Sequence, residues 1–238
     1  MKKKCSQGYN VNNIVGIDQF GRTFDITAGD KAGKQIGMFY FLWLGHPLFS
    51  GVYDATKISN EYGQDALFHQ TSDISPEGQF HFWGEPLYGY YNSGDEYVIR
   101  KHIELLITAG IDFLIFDSTN AVTYDSVYQK IMKIIDEYMQ AGWDAPKVAF
   151  YTHSYSIQTA NKLYENVYKA NYYPNTWYLV DGKPLIIAYT DPADDMAEAQ
   201  SRGDSSYKPQ EFSQEFLDFF TIKRPQWPSD PTYADGFP

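Results

Sequence analysis

Ile111-Asp112-Phe113-Leu114-Ile115-Phe116-Asp117 is an apolar run that ends on a carboxylate. Three later runs repeat the arrangement: Val148–His153, Leu185–Asp191 and Phe219–Arg224. They recur at about 35 residues, the length of a strand, a crossover helix and two loops. An earlier run, Ile36–Trp43, leads in the same way to His46. Parallel strands in such units point one way, so the polar residues at their ends share a face. That face is where α/β barrels and open α/β sheets place their chemistry.

Helical signals lie between the runs. Ser93-Gly94-Asp95-Glu96 matches a capping box, with Val98, His102, Leu105, Leu106 and Ala109 on one face beyond it and Gly110 as the stop. Further helices are predicted over 124–141, 156–168 and 209–218. Asp181-Gly182 predicts a tight turn in a short antiparallel ribbon. Residues 1–34 are polar and Gly-rich and read as an N-terminal extension, with a small hairpin over 15–23. Residues 35–238 read as the main domain. Within it, Leu44–Ser93 is a long aromatic excursion with little periodicity, which favours an ordered functional loop.

By Arg224 five strands are spent, while an eight-stranded barrel needs three more units of about 30 residues each. The fold class is therefore predicted as α/β, a (β/α)8 TIM-barrel type with its first five βα units in this chain. The alternative is an open five-stranded sheet, which requires helices over both faces.

The composition narrows the function. With 19 basic against 30 acidic residues the net charge is −11, which argues against nucleic acid or an anionic membrane as partner. No run reaches membrane-spanning length, so membrane insertion is not expected. The single cysteine, Cys5, leaves no internal disulfide. Met1–Cys5 has the basic start of a secretion signal, but polar Ser6–Asn10 follows where an apolar stretch belongs, so no signal peptide is expected in these residues. The chain holds 21 Tyr, 16 Phe and 5 Trp. Flat rings with polar handles suit the C–H faces and hydroxyl rims of sugars, although much of this content belongs to the core.

Asp117, closing its strand before Ser118-Thr119-Asn120, suits an acid, a base or a hydroxyl-binding group; a loop-anchoring Asp is the alternative. Glu85 sits in Trp83-Gly84-Glu85-Pro86, where Gly and Pro constrain it and aromatics could desolvate it as a general acid; a surface Glu held by a backbone amide is the plainer reading. Trp43, at a strand exit, is the better sugar platform, with Tyr40 either platform or core. His46, His81, His153, Asp117 and Asp191 include enough ligand types for a metal, yet no HxH, HxxxH or HExxH spacing supports one. His102, on a core face, reads as a structural histidine. There is no phosphate loop and no GxSxG elbow.

Two segments carry a family resemblance. Gly37-Met38-Phe39-Tyr40-Phe41-Leu42-Trp43 resembles the first strand of the endo-α-mannosidase-like glycoside hydrolases of family 99 and their relatives near family 71. Gly89–Asp112 is similar to their Tyr-Ser, Asp, Val-Ile, His, Leu and Ala-Gly-Ile series before the second barrel strand. Trp177–Leu185, with its Asp-Gly-Lys-Pro turn, is similar to their approach to the fourth strand. The resemblance spans roughly residues 35–190. It implies a barrel hydrolysing glycosidic bonds of an oligo- or polysaccharide without metal or other cofactor, and by its substrate class an extracytoplasmic (periplasmic or secreted) location.

The family's Asn-Glu-Trp-type carboxylate motif does not occur in this sequence, so the resemblance places the main catalytic carboxylates beyond residue 238. Within the chain, Glu85 and Asp117 are the pair to test as catalytic. Tyr40, Trp43, His46, Trp83, Tyr91, Asn120, His153 and Asp191 are the substrate-binding candidates. Two other readings stay open: a degenerate barrel that binds carbohydrate without turnover, and a metal-dependent hydrolase or deacetylase built on His46, His153, Asp117 and Asp191. The sequence leaves the oligomeric state undetermined.

Overall fold

A computed structural model describes residues 16–23, 34–45, 51–68, 73–227 and 234–237. The elements are β1 (Gly37–Tyr40), β2 (Tyr53–Asp54), α1 (Ala55–Tyr62), β3 (His81–Phe82), α2 (Glu96–Ala109), β4 (Phe113–Ser118), α3 (Asp125–Gln140), β5 (Lys147–Thr152), α4 (Ser156–Leu163), β6 (Leu179–Val180), β7 (Lys183–Ile187), α5 (Pro192–Ser201), α6 (Gln214–Phe219), β8 (Thr221–Pro225) and β9 (Gly236–Phe237). A wide π-helical turn, Tyr164–Lys169, continues α4. None of the described helices is long and apolar enough to cross a membrane.

Strands pair in parallel in the order β1–β4–β5–β7–β8–β9. Sheet order thus follows chain order, and the alternation of side chains shows where the crossovers lie. Leu114, Phe116, Val148, Phe150, Ile186 and Ala188 pack against Ile103 of α2, Ile131 of α3, Ile157 of α4 and Phe216 of α6. Their alternates Phe113, Ile115, Ala149, Tyr151, Leu185 and Ile187 form a second cluster with Phe39, Tyr178, Val180 and Phe237, which come from strands and loops. The core helices therefore cover one face and leave the other as an inner face. A doubly wound sheet would carry helices on both. This chain is instead a curled parallel α/β sheet, part of a TIM-type barrel. Full burial of a side chain such as Ile103 or Phe150 stabilises the fold by about 1.5–3 kcal/mol.

Five barrel strands are predicted; the structure adds a sixth, β9, pairing Arg224 with Gly236 and Pro225 with Phe237. Two residues separated from β8 by a polar stretch carry too little pattern to be read. The excursion is also more regular than expected. Asp54 caps α1 by accepting from the Lys57 amide at 3.0 Å, and β2 pairs with β3 in parallel. Ile17 bridges Thr23 in antiparallel fashion within the predicted hairpin.

The capping box is corrected. The N-cap of α2 is Asp95, whose carboxylate accepts from the Val98 amide. Ser93 exchanges two hydrogen bonds with Leu44 instead: its amide donates to the Leu44 carbonyl at 2.8 Å and its Oγ accepts from the Leu44 amide at 2.9 Å. The end of β1 and the start of α2 are thereby clasped together. Gly110 ends α2 at φ 72°, the left-handed stop its position predicts.

Near the amino ends of the strands the inner face is closed by rings. Phe113 stacks on Tyr178 at 3.9 Å and 11°. A Cβ placed on Gly37 would lie 2.3 Å from the Phe113 ring, so glycine is required for β1 to pass beneath it.

Candidate site at the carboxyl ends of the strands

Rings run across the inner face toward the carboxyl ends of the strands. Successive centroids are Phe80–Trp43 5.7 Å, Trp43–Phe41 5.5 Å, Phe41–Phe39 5.4 Å and Phe39–Tyr151 5.6 Å. The ribbon continues through Tyr151–Trp227 6.2 Å, Trp227–His153 5.4 Å and His153–Tyr189 5.5 Å. Phe41 and Trp227 remain about half exposed, at 48% and 45%, while Tyr151 is buried and trades hydrogen bonds with the backbone of Gln226.

Asp117 lies beside this ribbon, buried, at the register position opposite Tyr151. Its Oδ2 accepts from Trp43 Nε1 at 2.9 Å. Its Oδ1 accepts from the Thr119 amide at 3.0 Å and hydroxyl at 2.7 Å. The Thr119 carbonyl accepts from the Ser154 amide at 2.8 Å, and Ser154 Oγ donates to Glu198 at 3.1 Å. A relay of four residues thus joins the exit of β4 to α5.

His153 stands where the relay meets the ribbon. Its Nδ1 is 3.4 Å from Glu198 Oε1, and Tyr189 Oη and Trp227 Nε1 each lie 3.1 Å from its Nε2. Burial pushes the Tyr189 hydroxyl up to about 12, so it stays protonated. Arg224 pairs with Asp194 and covers the Tyr189 ring at 5.4 Å.

The sequence candidates part company here. Trp43, Asp117 and His153 meet the ribbon. Glu85 does not join Asp117 as a carboxylate pair: it is exposed and bonded to Lys57 at 3.1 Å. Lys57 covers Tyr90, and contacts from there to Asp117 pass through Tyr90, Phe82, Phe80 and Trp43. Tyr40 turns to the helix side, packs against Phe116 at 6.1 Å and meets His102 Nδ1 at 2.9 Å. Tyr91 lies beside the same histidine, 5.8 Å away, and both tyrosines line a cavity of about 170 Å³ at the β1–α2 junction.

Trp83 is 91% exposed on the excursion. Asn120 is exposed and bonded to Tyr124 Oη at 2.7 Å. Asp191 is the N-cap of α5, accepting from the Ala193 amide. His46 lies outside the described residues.

Glu198, Tyr189 and Trp227 are absent from the sequence candidates. Asp191-Pro192 is a helix-start signal that would have revealed α5 and put Glu198 near two turns in. Nothing in the sequence marks Trp227. Among the described residues no group of three or more His, Cys, Asp or Glu could hold a metal ion.

No family model matches this chain, and no curated protein does. Among solved structures it is similar to the GH99 endo-alpha-mannosidase from Bacteroides thetaiotaomicron, with TM-score 0.43 and 18% identity over 79% of this chain and 55% of that one. The structure of the GH99 endo-alpha-mannosidase in complex with bis-tris-propane gives TM-score 0.41 and 18% identity over 80% and 52%. The chain spans about half the length of these structures. What defines its class, an α/β partial barrel of parallel strands, is its own strand order and its one-sided core helices.

Proposed function

We propose that the inner face of this partial barrel binds carbohydrate, as part of a glycoside hydrolase-like protein acting on glycosidic bonds of an oligo- or polysaccharide. The observation that carries the reading is the ring ribbon from Phe80 to Tyr189 at the carboxyl ends of parallel strands, bordered by hydrogen-bonding groups. Rings offer stacking faces for sugar C–H surfaces, and a few convergent polar groups fix orientation, as small-molecule sites require. Asp117 is the carboxylate best placed to meet a bound sugar, as hydroxyl partner or as acid–base group. Hydrolysis normally uses two carboxylates about 5–10 Å apart, and Glu85 does not supply the second beside Asp117.

Tryptophan fluorescence titrated with a panel of neutral oligosaccharides tests the reading. Saturable quenching that disappears in Trp43→Ala supports it; a panel that leaves the fluorescence unchanged refutes it. Binding without turnover is the second reading, favoured because both Asp117 oxygens are already occupied by Trp43 and Thr119. Reducing-sugar release from a ligand that binds separates the two.

A further inference from the structure

Glu198 is a largely buried carboxylate on α5 with one oxygen explained and one not. Its side chain is 9% exposed; Oε1 accepts from Ser154 at 3.1 Å, while Oε2 is buried without a hydrogen-bond partner among the described residues. The Oε1 side also faces His153 Nδ1 at 3.4 Å and Arg202 Nη1 at 3.7 Å.

The opposite edge of the same imidazole shows which nitrogen carries the proton. An indole N–H can only donate, so Trp227 Nε1 at 3.1 Å requires His153 Nε2 to be an acceptor. The proton of a neutral ring then resides on Nδ1, the nitrogen turned toward Glu198. Tyr189 Oη, also 3.1 Å from Nε2, donates to the same lone pair. One lone pair shared by two donors is a crowded acceptor, and the Trp227 ring that supplies one of them is 45% exposed. Beside this nitrogen lie the Trp227 and Tyr189 rings and the Tyr189 hydroxyl, and Arg224, paired with Asp194, covers the Tyr189 ring. A neutral hydroxyl, which can donate to this nitrogen, fits such a place.

We propose that Glu198 is a positioning residue holding His153 as the Nδ1–H tautomer, and that His153 Nε2 is a subsite for a sugar hydroxyl whose place the Trp227 N–H fills in the free protein. The inference rests on the carbohydrate reading above and adds where on the ribbon a hydroxyl is recognised. On binding, the hydroxyl donates to Nε2 as Trp227 withdraws its N–H, so one hydrogen bond replaces another and no proton is transferred. Since carboxylate-fixed histidines present the other nitrogen as a defined acceptor or base, this subsite selects ligands by a donor at one position.

The test is long-range ¹H–¹⁵N NMR on protein labelled at histidine and tryptophan, without and with the oligosaccharide that quenches Trp43 most strongly. The expected free-state spectrum shows His153 protonated on Nδ1. That tautomer is retained in Glu198→Gln, which keeps an acceptor, and becomes mixed in Glu198→Leu. Should the leucine variant not fold, the wild-type and glutamine spectra still decide, since an Nε2–H tautomer in either overturns the proposal. At saturation the Trp227 indole N–H and His153 Nε2 resonances are expected to move together. Saturation of Trp43 quenching with both resonances unmoved would overturn the subsite and leave the carbohydrate reading standing. A panel that quenches nothing would overturn the carbohydrate reading and the subsite together, with the tautomer still testing the role of Glu198.

Discussion

Trp43 and Asp117 are joined by a 2.9 Å hydrogen bond from indole Nε1 to carboxylate Oδ2, across the carboxyl ends of adjacent parallel strands. Each is a functional candidate by residue type, and each also holds the other in place. Substitutions must therefore separate ring, donor and charge.

Trp43→Phe keeps a ring in the ribbon and removes the donor, so sugar affinity should fall less than in Trp43→Ala. Loss of a stacking face is worth roughly 0.5–1.5 kcal/mol, up to about tenfold in affinity. Calorimetric titration of both variants checks the order. Equal losses would mean that the N–H, not the face, is what matters.

Asp195 caps α4 from the neighbouring helix. Its carboxylate is buried and accepts from the Ser156 amide at 2.7 Å, the Ile157 amide at 3.0 Å and Tyr207 Oη at 2.9 Å. The local N-cap residue, Tyr155, has φ 48° and makes no side-chain cap bond. Asp195→Ala leaves buried donors unpaired, each at about 1–3 kcal/mol, so a clear drop in urea midpoint is expected. An unchanged midpoint would show that water or another group takes over the cap.

The His102 imidazole is held below its ordinary value of 6.5 by burial, and Tyr40 Oη bonds its Nδ1. The folded state therefore favours the neutral ring. Its contribution to stability is complete above about pH 6.5 and is lost as pH falls through the depressed folded-state value, because the unfolded chain binds the proton more readily. Thermal midpoints measured from pH 7.5 down to 5.5 should decline, and should decline less in His102→Gln. A parallel decline in both proteins would assign the effect elsewhere.

Gly37→Ala introduces a Cβ against the Phe113 ring, which is itself stacked on Tyr178. Overpacking of this kind costs about 1–3 kcal/mol. Gly89→Ala meets no neighbour within 4 Å, but its φ of 75° is itself unfavourable for alanine. The two variants contrast crowding with backbone strain. Denaturant unfolding should recover stability for Gly37→Ala when Phe113→Leu is added, and recover nothing for Gly89→Ala.

Much of this arrangement is legible in the sequence, and the failures have physical causes. Long apolar runs bounded by helix stops gave β4, β5, β7 and β8, and Asp181-Gly182 gave the turn between β6 and β7, with both residues at positive φ. What a run does not disclose is which alternate faces inward. That is why the run offers Tyr40 and Trp43 together, although Tyr40 faces the helices. Ser93 carries a cap signal that its Leu44 contacts override, because a tertiary pairing satisfies the same groups. Glu198 and Trp227 become partners of His153 through tertiary packing, across 45 and 74 positions of the chain, beyond the reach of any local pattern.

The π-helical turn after α4 has an evolutionary corollary. Its wide turn lets Tyr164 meet Phe216 at 5.3 Å and Phe220 at 5.6 Å while Tyr168 meets Phe220 at 4.6 Å and Trp177 at 4.9 Å. At 3.6 residues per turn, deleting one residue there rotates everything beyond it by about 100°. Tyr168 would then leave its aromatic neighbours. This helix is thus a phase-locked segment, in which lineages can exchange side chains far more readily than they can change its length.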